Sequence, residues 1–533
     1  MTPTAGSAGG WGGVRPYVLP ARTGLGERAL RGRLGEARAL AERDPGRGLP
    51  PTAALSGELA GLLWGRGRAR EAVSALREAL AAARALAAGD PLRFHADLLA
   101  ACYDLRGLVG PGAEGLCREA LRAERSLAGP GAPTRDLASA LDDLSPLMEA
   151  LELYGEAEGL CREAVSAWRA LAARDPEGCL PSLALACESL AYSLSDDGRF
   201  GEAEGLCREA VSAWRALADG GRRGALPWLL SSCQGLAHVL GEVGSLAEAV
   251  SAHREAVSVA RSLAALDPEG YLPSLATERW HLALTLDEAG RPGEAEPLLR
   301  EALSALRALA ARDPGTWPDL ARACGSLADL LTELGRPGEA EAPLREALST
   351  RRALAALDPN ARLDLADTCG SLADLLTELG RPGEAEAPLR EQVDIESSVL
   401  GECPNGPRER FVALLRGRLG TLLERLGRPG EAEPLLREAL GSYRSFTGVE
   451  REMSAGMAAP VLVSLGRLLA ARGRPGEAGP LLREALSMYA SLAAHEGGVD
   501  EEYTPAELAG WRSAIRRGER EAREALARLG GEA

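Results

Sequence analysis

Lysine is missing from this chain: 533 residues carry 61 basic side chains, and every one is arginine. That single absence excludes a P-loop, a kinase-type lysine, a Schiff-base lysine and pyridoxal chemistry together. Nor is there a GxSxG, an HExxH, or a GxGxxG that follows a strand pattern. Aromatic residues make up only 4% of the chain and β-branched residues are sparse, whereas Ala and Leu dominate. This balance favours helices packed through small and leucyl side chains. No run of 18 or more apolar residues occurs, so no bilayer-spanning helix is expected. The start, MTPTAGSAGGWGGVRPYVLPARTG, lacks a basic stretch followed by an apolar core, and residues 1–23 are expected to be a disordered Gly-rich leader. A cytoplasmic protein is expected. The formal net charge of −16 argues against nucleic acid or an anionic membrane as partner, since both call for basic patches.

What is present is repetition. CGSLADLLTELGRPGEAEAPLRE occurs at Cys324–Glu346 and again, letter for letter, at Cys369–Glu391. Aligning the chain on the Ala of its Gly-Glu-Ala motif gives anchors at Ala72, Ala113, Ala157, Ala203, Ala249, Ala295, Ala340, Ala385, Ala432 and Ala478. The spacings of 41 to 47 residues fall in the range of stacked supersecondary units. Each unit reads as two helices. Between them stands Gly-Arg-Pro-Gly, as at Gly335–Gly338, with Gly suited to a left-handed helix end and Pro to a helix start. The second helix runs to an Asp-Pro stop 18 residues after the anchor, at Asp90, Asp175, Asp267, Asp313 and Asp358.

The slots within a unit are regular. Thirteen before the anchor stands Leu in all units but one, and the next position is always small. Seven after the anchor stands Ala, from Ala79 to Ala485, with Gln392 breaking the rule. Small residues at fixed slots let two helix axes approach to about 8–10 Å.

On Leu327, Ala328, Leu331, Gly335, Ala340, Leu344 and Ala347, and their counterparts over roughly residues 50–495, the chain resembles the tetratricopeptide repeat family. The long units and the wording GEAEPLLREAL look most like the kinesin-light-chain variety found in bacterial multi-repeat proteins. The resemblance implies an all-α fold, a right-handed α-solenoid of about ten helix-turn-helix repeats. Residues 24–49 would form an N-terminal capping helix, 50–498 the solenoid, and 499–533 a C-terminal capping helix and tail. That last helix opens on a Thr504-Pro505-Ala506-Glu507 capping box. Two departures stand out. The family's aromatic near the start of the first helix is replaced, often by Cys, and Pro297, Pro434 and Pro480 fall near the starts of second helices.

Ten cysteines invite a metal reading, but Cys117, Cys161 and Cys207 share one slot of successive units, and Cys187, Cys233, Cys324 and Cys369 share another. Equal slots in stacked units lie about 10 Å apart, whereas zinc ligands must all lie within about 2.3 Å of one ion. No metal and no cofactor are therefore expected. His253 takes a slot filled elsewhere by Cys or Leu, and a packed core imidazole is expected there. The arginines five after each anchor lie four residues beyond a Glu in most units, as at Glu158–Arg162 and Glu433–Arg437, so they read as a paired, solvated helix face.

In the family the inner groove is lined by first-helix residues. Here those slots hold Glu149, Asp196, Glu242, Asp287, Glu288, Glu333, Glu378 and Glu424, joined by Tyr192, His238, Asp329 and Asp374, with Glu188 and Trp280 flanking. An acidic trough with aromatic members suits a basic segment held by charge and cation–π contact. The first expectation is a non-enzymatic scaffold binding a basic peptide or protein segment in that concave groove. The alternatives are a regulatory sensor whose superhelix changes shape with a ligand, and an enzyme with a site around Tyr192, His238 and Trp280.

Overall fold

In the computed structural model the described residues are 19–89, 91, 94–128, 133–402, 406–446, 449–494 and 505–531. The leader up to residue 18, the stop at Asp90, Cys403 and the Thr504 end of the capping box lie outside them. Contacts divide the chain into two compact units, residues 1–291 and 292–533. No strand occurs among the described residues.

The N-terminal unit contains α1 (Glu27–Arg43), α2 (Pro45–Gly65), α3 (Ala69–Ala87), α4 (Phe94–Val109), α5 (Ala113–Ala128) and α6 (Arg135–Ala150). It continues with α7 (Tyr154–Ala172), α8 (Pro176–Asp196), α9 (Phe200–Asp219), α10 (Leu226–Glu242), α11 (Leu246–Leu266) and α12 (Pro268–Glu288). The C-terminal unit contains α13 (Pro292–Ala310), α14 (Trp317–Glu333), α15 (Pro337–Leu357), α16 (Arg362–Glu378) and α17 (Pro382–Glu402). After these come α18 (Gly406–Arg425), α19 (Pro429–Ser445), α20 (Val449–Ala471), α21 (Pro475–Ala494) and α22 (Pro505–Gly531). Within each unit consecutive helices pack as hairpins, and each hairpin packs on the next. The architecture is an all-α solenoid of tandem hairpins.

Each hairpin turn is built by its glycine. Gly335 N–H reaches the Thr332 carbonyl at 2.9 Å, and Arg336 N–H reaches Leu331 at 2.8 Å, which closes the helix with a Schellman pair. That geometry demands a left-handed residue. The turn glycines 67, 198, 244, 290, 335, 380, 427 and 473 all adopt φ between 69° and 81°. In the hairpin of Ala157 the slot is filled by Glu152 at φ 66°, the one non-glycine residue with positive φ among the described residues.

The Asp-Pro pairs do more than stop a helix. Asp175 and Asp267 stand at the N-caps of α8 and α12, where each Oδ1 accepts the backbone N–H of Gly178 or Gly270 at 3.1 Å. Asp313 and Asp358 cap short 3-10 turns ahead of α14 and α16 in the same way. One dipeptide thus ends the second helix of a repeat and begins the first helix of the next. Pro297, Pro434 and Pro480 do not break their helices: α13, α19 and α21 run through them.

Packing is tightest at the anchors. Ala72, Ala157, Ala203, Ala249, Ala295, Ala340, Ala385, Ala432 and Ala478 are all 0% exposed, and the alanines seven residues on are equally enclosed. Each of the nine leucines thirteen before an anchor is buried. Where Gln392 replaces the small residue, Gly370 makes the room: a Cβ there would come within 2.6 Å of the Gln392 amide nitrogen.

These placements order the expected costs. Ala340→Leu overpacks a filled slot and should destabilise by about 1–3 kcal/mol in urea unfolding. Gly335→Ala, forced into the left-handed region, should cost about 1–2 kcal/mol. Glu152→Gly should do the reverse and gain about 0.5–1 kcal/mol, after the loss of its ion pair and of chain entropy. A Tm that falls in the Glu152→Gly variant would contradict the strained-turn assignment.

Candidate interaction surface

The second-helix face is electrostatically closed. Arg162 pairs with Glu158 one turn earlier at 2.8 Å and with Glu202 of the next hairpin at 2.9 Å. The turn residue Arg199 pairs with the same two carboxylates at 3.0 and 2.7 Å. Two arginines and two glutamates from adjacent hairpins thereby form a closed ring. The same ring recurs as Glu27, Arg31, Arg68 and Glu71 in the N-terminal unit. In the C-terminal unit it recurs around Arg300 and Arg336, Arg345 and Arg381, Arg390 and Arg428, and Arg437 and Arg474. Hydrogen bonds from Arg162 and Arg199 hold the Glu158 carboxyl below its ordinary range, and those from Arg300 and Arg336 do the same for Glu296. A second ladder joins Arg169 to Glu209, Arg215 to Glu255, Arg307 to Glu346 and Arg352 to Glu391. The i,i+4 pairs expected from the sequence are present. The between-repeat bonds were not foreseen, because they depend on which residues stacking brings together.

The first-helix side is different. Glu149, Asp196, Glu242, Asp287 and Glu288 in the N-terminal unit, and Asp329, Glu333 and Glu378 in the C-terminal unit, have no ion-pair partner among the described residues. Asp196, Glu242, Glu288, Asp329, Glu333 and Glu378 are exposed. Burial lifts the half-buried Asp287. It also pushes Glu149 up to about 7, with the charges of Asp196 and Asp197 adding to the rise. Tyr192 is 41% exposed beside Asp196 and Glu149. Tyr103, also exposed, feels Tyr154, Glu149 and Glu152, so these side chains lie together. His238 is exposed, with the Phe200 ring edge-on at 6.1 Å.

Four expected groove residues are otherwise engaged. Trp280 is only 7% exposed and tilts against His281 at 4.9 Å, so it is a packing residue and offers no ring face to a ligand. Glu188 accepts hydrogen bonds from Trp214 Nε1 at 3.1 Å and from the Ser232 hydroxyl, and faces His95 Nε2 at 3.8 Å. Asp374 is paired with Arg418, and Glu424 with Arg467 at 3.0 Å. Periodicity places a residue on a face; whether a neighbouring hairpin supplies its partner is decided by the stack.

Buried polar clusters also escaped the sequence reading. Trp168 Nε1 donates to Asp142 at 2.6 Å, the same bond one repeat before Trp214 and Glu188. Glu278, 0% exposed, stands 3.6 Å from both His253 Nδ1 and His281 Nδ1 and accepts from the Gln234 amide. His253 is buried as expected, but against a carboxylate rather than among apolar groups alone. Its signal was available in sequence: His253, Glu278 and His281 are polar at slots that neighbouring repeats fill with smaller or apolar residues. The nine described cysteines are buried, and burial pushes Cys117, Cys161, Cys207, Cys324 and Cys369 up to about 12, which leaves them unreactive thiols. Among the described residues no group of three His, Cys, Asp or Glu could hold a metal ion, and no helix is long and apolar enough to cross a membrane.

An all-helical solenoid whose hairpins meet through fixed small-residue slots is a tandem-repeat interaction fold. Residues 183–219 and 320–358 match one tetratricopeptide repeat model, and residues 279–301, 413–438 and 459–484 match another. These five segments are therefore matched as tetratricopeptide repeats. No protein of curated function matches it. Among solved structures, BtubC (BKLC) from P. vanneervenii is similar over 49% of this chain and 94% of its own, at 23% identity and a TM-score of 0.33. A putative kinesin light chain from Podosopora anserina with nearly identical TPR-like repeats is similar over 41% of this chain and 97% of its own, at 22% identity and TM-score 0.31. A tetratricopeptide repeat protein from Parabacteroides merdae covers 62% and 97% at 16% identity and TM-score 0.30.

Glu149 supplies a pH test. Its carboxyl keeps its proton in the folded chain to about pH 7 but loses it near 4.5 when unfolded. Stability should therefore fall as pH rises from about 4.5 to 7, because the unfolded chain releases the proton first. Glu149→Gln should match the parent near pH 4 and exceed it in Tm at pH 8. Equal Tm values at both pH values would remove the assignment.

Proposed function

We propose that this chain, through its tetratricopeptide repeats, is a protein-interaction scaffold that holds a basic protein segment against the acidic first-helix side of its N-terminal unit, with a second acidic first-helix side in the C-terminal unit. The carrying observation is the contrast between the two faces. On the second-helix side, arginines and glutamates satisfy each other in rings; on the first-helix side, eight carboxylates have no cation among the described residues. Unpaired like charges repel one another, and a guanidinium or ammonium partner relieves that repulsion. Tyr192 beside Asp196 and Glu149 adds an exposed ring for cation–π contact, worth roughly 0.5–1 kcal/mol at an exposed site. Glu149, charged only above about pH 7 in the free chain, would be driven to ionise by the arriving cation. Binding that uses it should strengthen as pH rises from 6 to 8.

The test uses fluorescein-labelled peptides rich in Arg and Tyr, with Glu-rich peptides as controls. Glu242→Arg with Glu288→Arg should weaken binding of the basic peptides by about tenfold or more at low salt, and added salt should weaken the wild type. Glu163→Gln with Glu209→Gln, on the opposite face, should leave the affinity unchanged. Equal loss in both pairs of variants would mean diffuse attraction to an acidic protein, and no loss in the first pair would sink the proposal.

A further inference from the structure

In a stack of hairpins each repeat touches only its neighbours. The start of α4 departs from that rule. The Pro91 carbonyl, ahead of the helix, accepts the Ser231 hydroxyl of α10 at 3.1 Å across 140 residues of sequence. His95 Nδ1 lies 3.2 Å from the Ser189 hydroxyl of α8, and its Nε2 lies 3.8 Å from Glu188 Oε2. The same imidazole stacks over Tyr192, with ring centroids 5.9 Å apart and planes 23° from parallel. Phe94, 1% exposed, sets its ring edge-on to Trp228 of α10 at 5.2 Å. Trp228 stacks in turn on Trp214 at 5.4 Å, which holds Glu188 through its indole N–H. The α6–α7 hairpin, between α4 and α8 in sequence, is bypassed.

The residues that make these contacts are particular to this hairpin. Phe94 stands nineteen before its anchor, where the other units carry Ala53, Ala138, Ala184, Leu230, Ala276, Ala321, Ala366, Ala413 and Ala459. An aromatic of that size is not called for by neighbour packing, since Ala suffices in eight other units. Its use here is to span the first-helix side and reach α10.

We propose that the start of α4 is a clasp, in which Phe94 and His95 lock onto α8 and α10 and close the first-helix side of the N-terminal unit over Glu188 and Trp228. The α4–α5, α8–α9 and α10–α11 hairpins are thereby coupled directly and open together rather than one after another. The clasp also sets the limit of the free acidic surface, which begins beside it at Glu149 and Asp196.

Hydrogen exchange read by mass spectrometry on the full chain separates a clasp from an ordinary stack. Trp228→Leu with Ser231→Ala alters α10 alone; the expected result is exchange at least tenfold faster in the first turns of α4, with α6 unchanged. Ser189→Ala with Ser231→Ala removes only two hydroxyls and leaves the packing volume in place. At about 1 kcal/mol per lost hydrogen bond it should quicken α4 exchange by fivefold or more, with unchanged helix content by circular dichroism. Unchanged α4 exchange in this second variant overturns the clasp. So does loosening that spreads equally through α6 and α7, because that is the signature of coupling passed from neighbour to neighbour.

Discussion

Alanine at two fixed slots governs everything else in this protein. At the anchor and seven residues later, a methyl group is all that separates one helix from the next, and these positions are closed to water. A larger side chain would hold the helices apart, the buried leucines would lose contact, and the turn that joins them would no longer register with its neighbours. Stability in a stacked fold is a sum of hairpins and the interfaces between them, and neither part suffices alone. Where the rule is broken, at Gln392, the glycine already present at position 370 leaves room for the amide.

Charge then finishes what packing begins. Each ring of two arginines and two glutamates sits at the surface, where a single ion pair contributes only about 0–1 kcal/mol. The rings add less to stability than the alanine slots do, but they have a direction. Arg199 or Arg336 reaches carboxylates of its own hairpin and of the one before, so a shift of one turn would break several bonds at once. Arginine suits this task because its planar fork serves two carboxylates at fixed angles, and an ammonium group does not. The absence of lysine from the chain costs the fold nothing for this reason. Saturation of one face by its own counter-charges contrasts with the other face, where eight acids have no ion-pair partner among the described residues.

The N-terminal unit adds a constraint that stacking alone does not supply. Aromatic and imidazole groups tie α4 to α8 and α10, while indole-to-carboxylate bonds at Trp168 and Trp214 pin second helices to first helices behind them. Part of the face that repeat geometry offers to a ligand is therefore occupied from within. Glu188 is the clearest case: a carboxylate at a groove slot whose oxygens are taken by an indole and a hydroxyl, with an imidazole close by.

The helices, their turns, the caps and the buried slots were legible in the sequence, because each follows from local chemistry repeated many times: Gly for a left-handed end, Asp-Pro for a junction, Ala and Leu at helical spacing. The fates of individual polar side chains were not. Trp280, Glu188, Asp374 and Glu424 occupy slots that periodicity assigns to an open face, yet each is buried or paired by a group brought close only by stacking. The sequence by itself determined the repeating hairpin and the acid-rich first helices, since those depend on neighbours a few residues away. Only the tertiary structure decided which charges meet across repeats and which aromatic residues bridge distant ones, since contacts separated by 40 to 140 residues depend on how the hairpins are stacked.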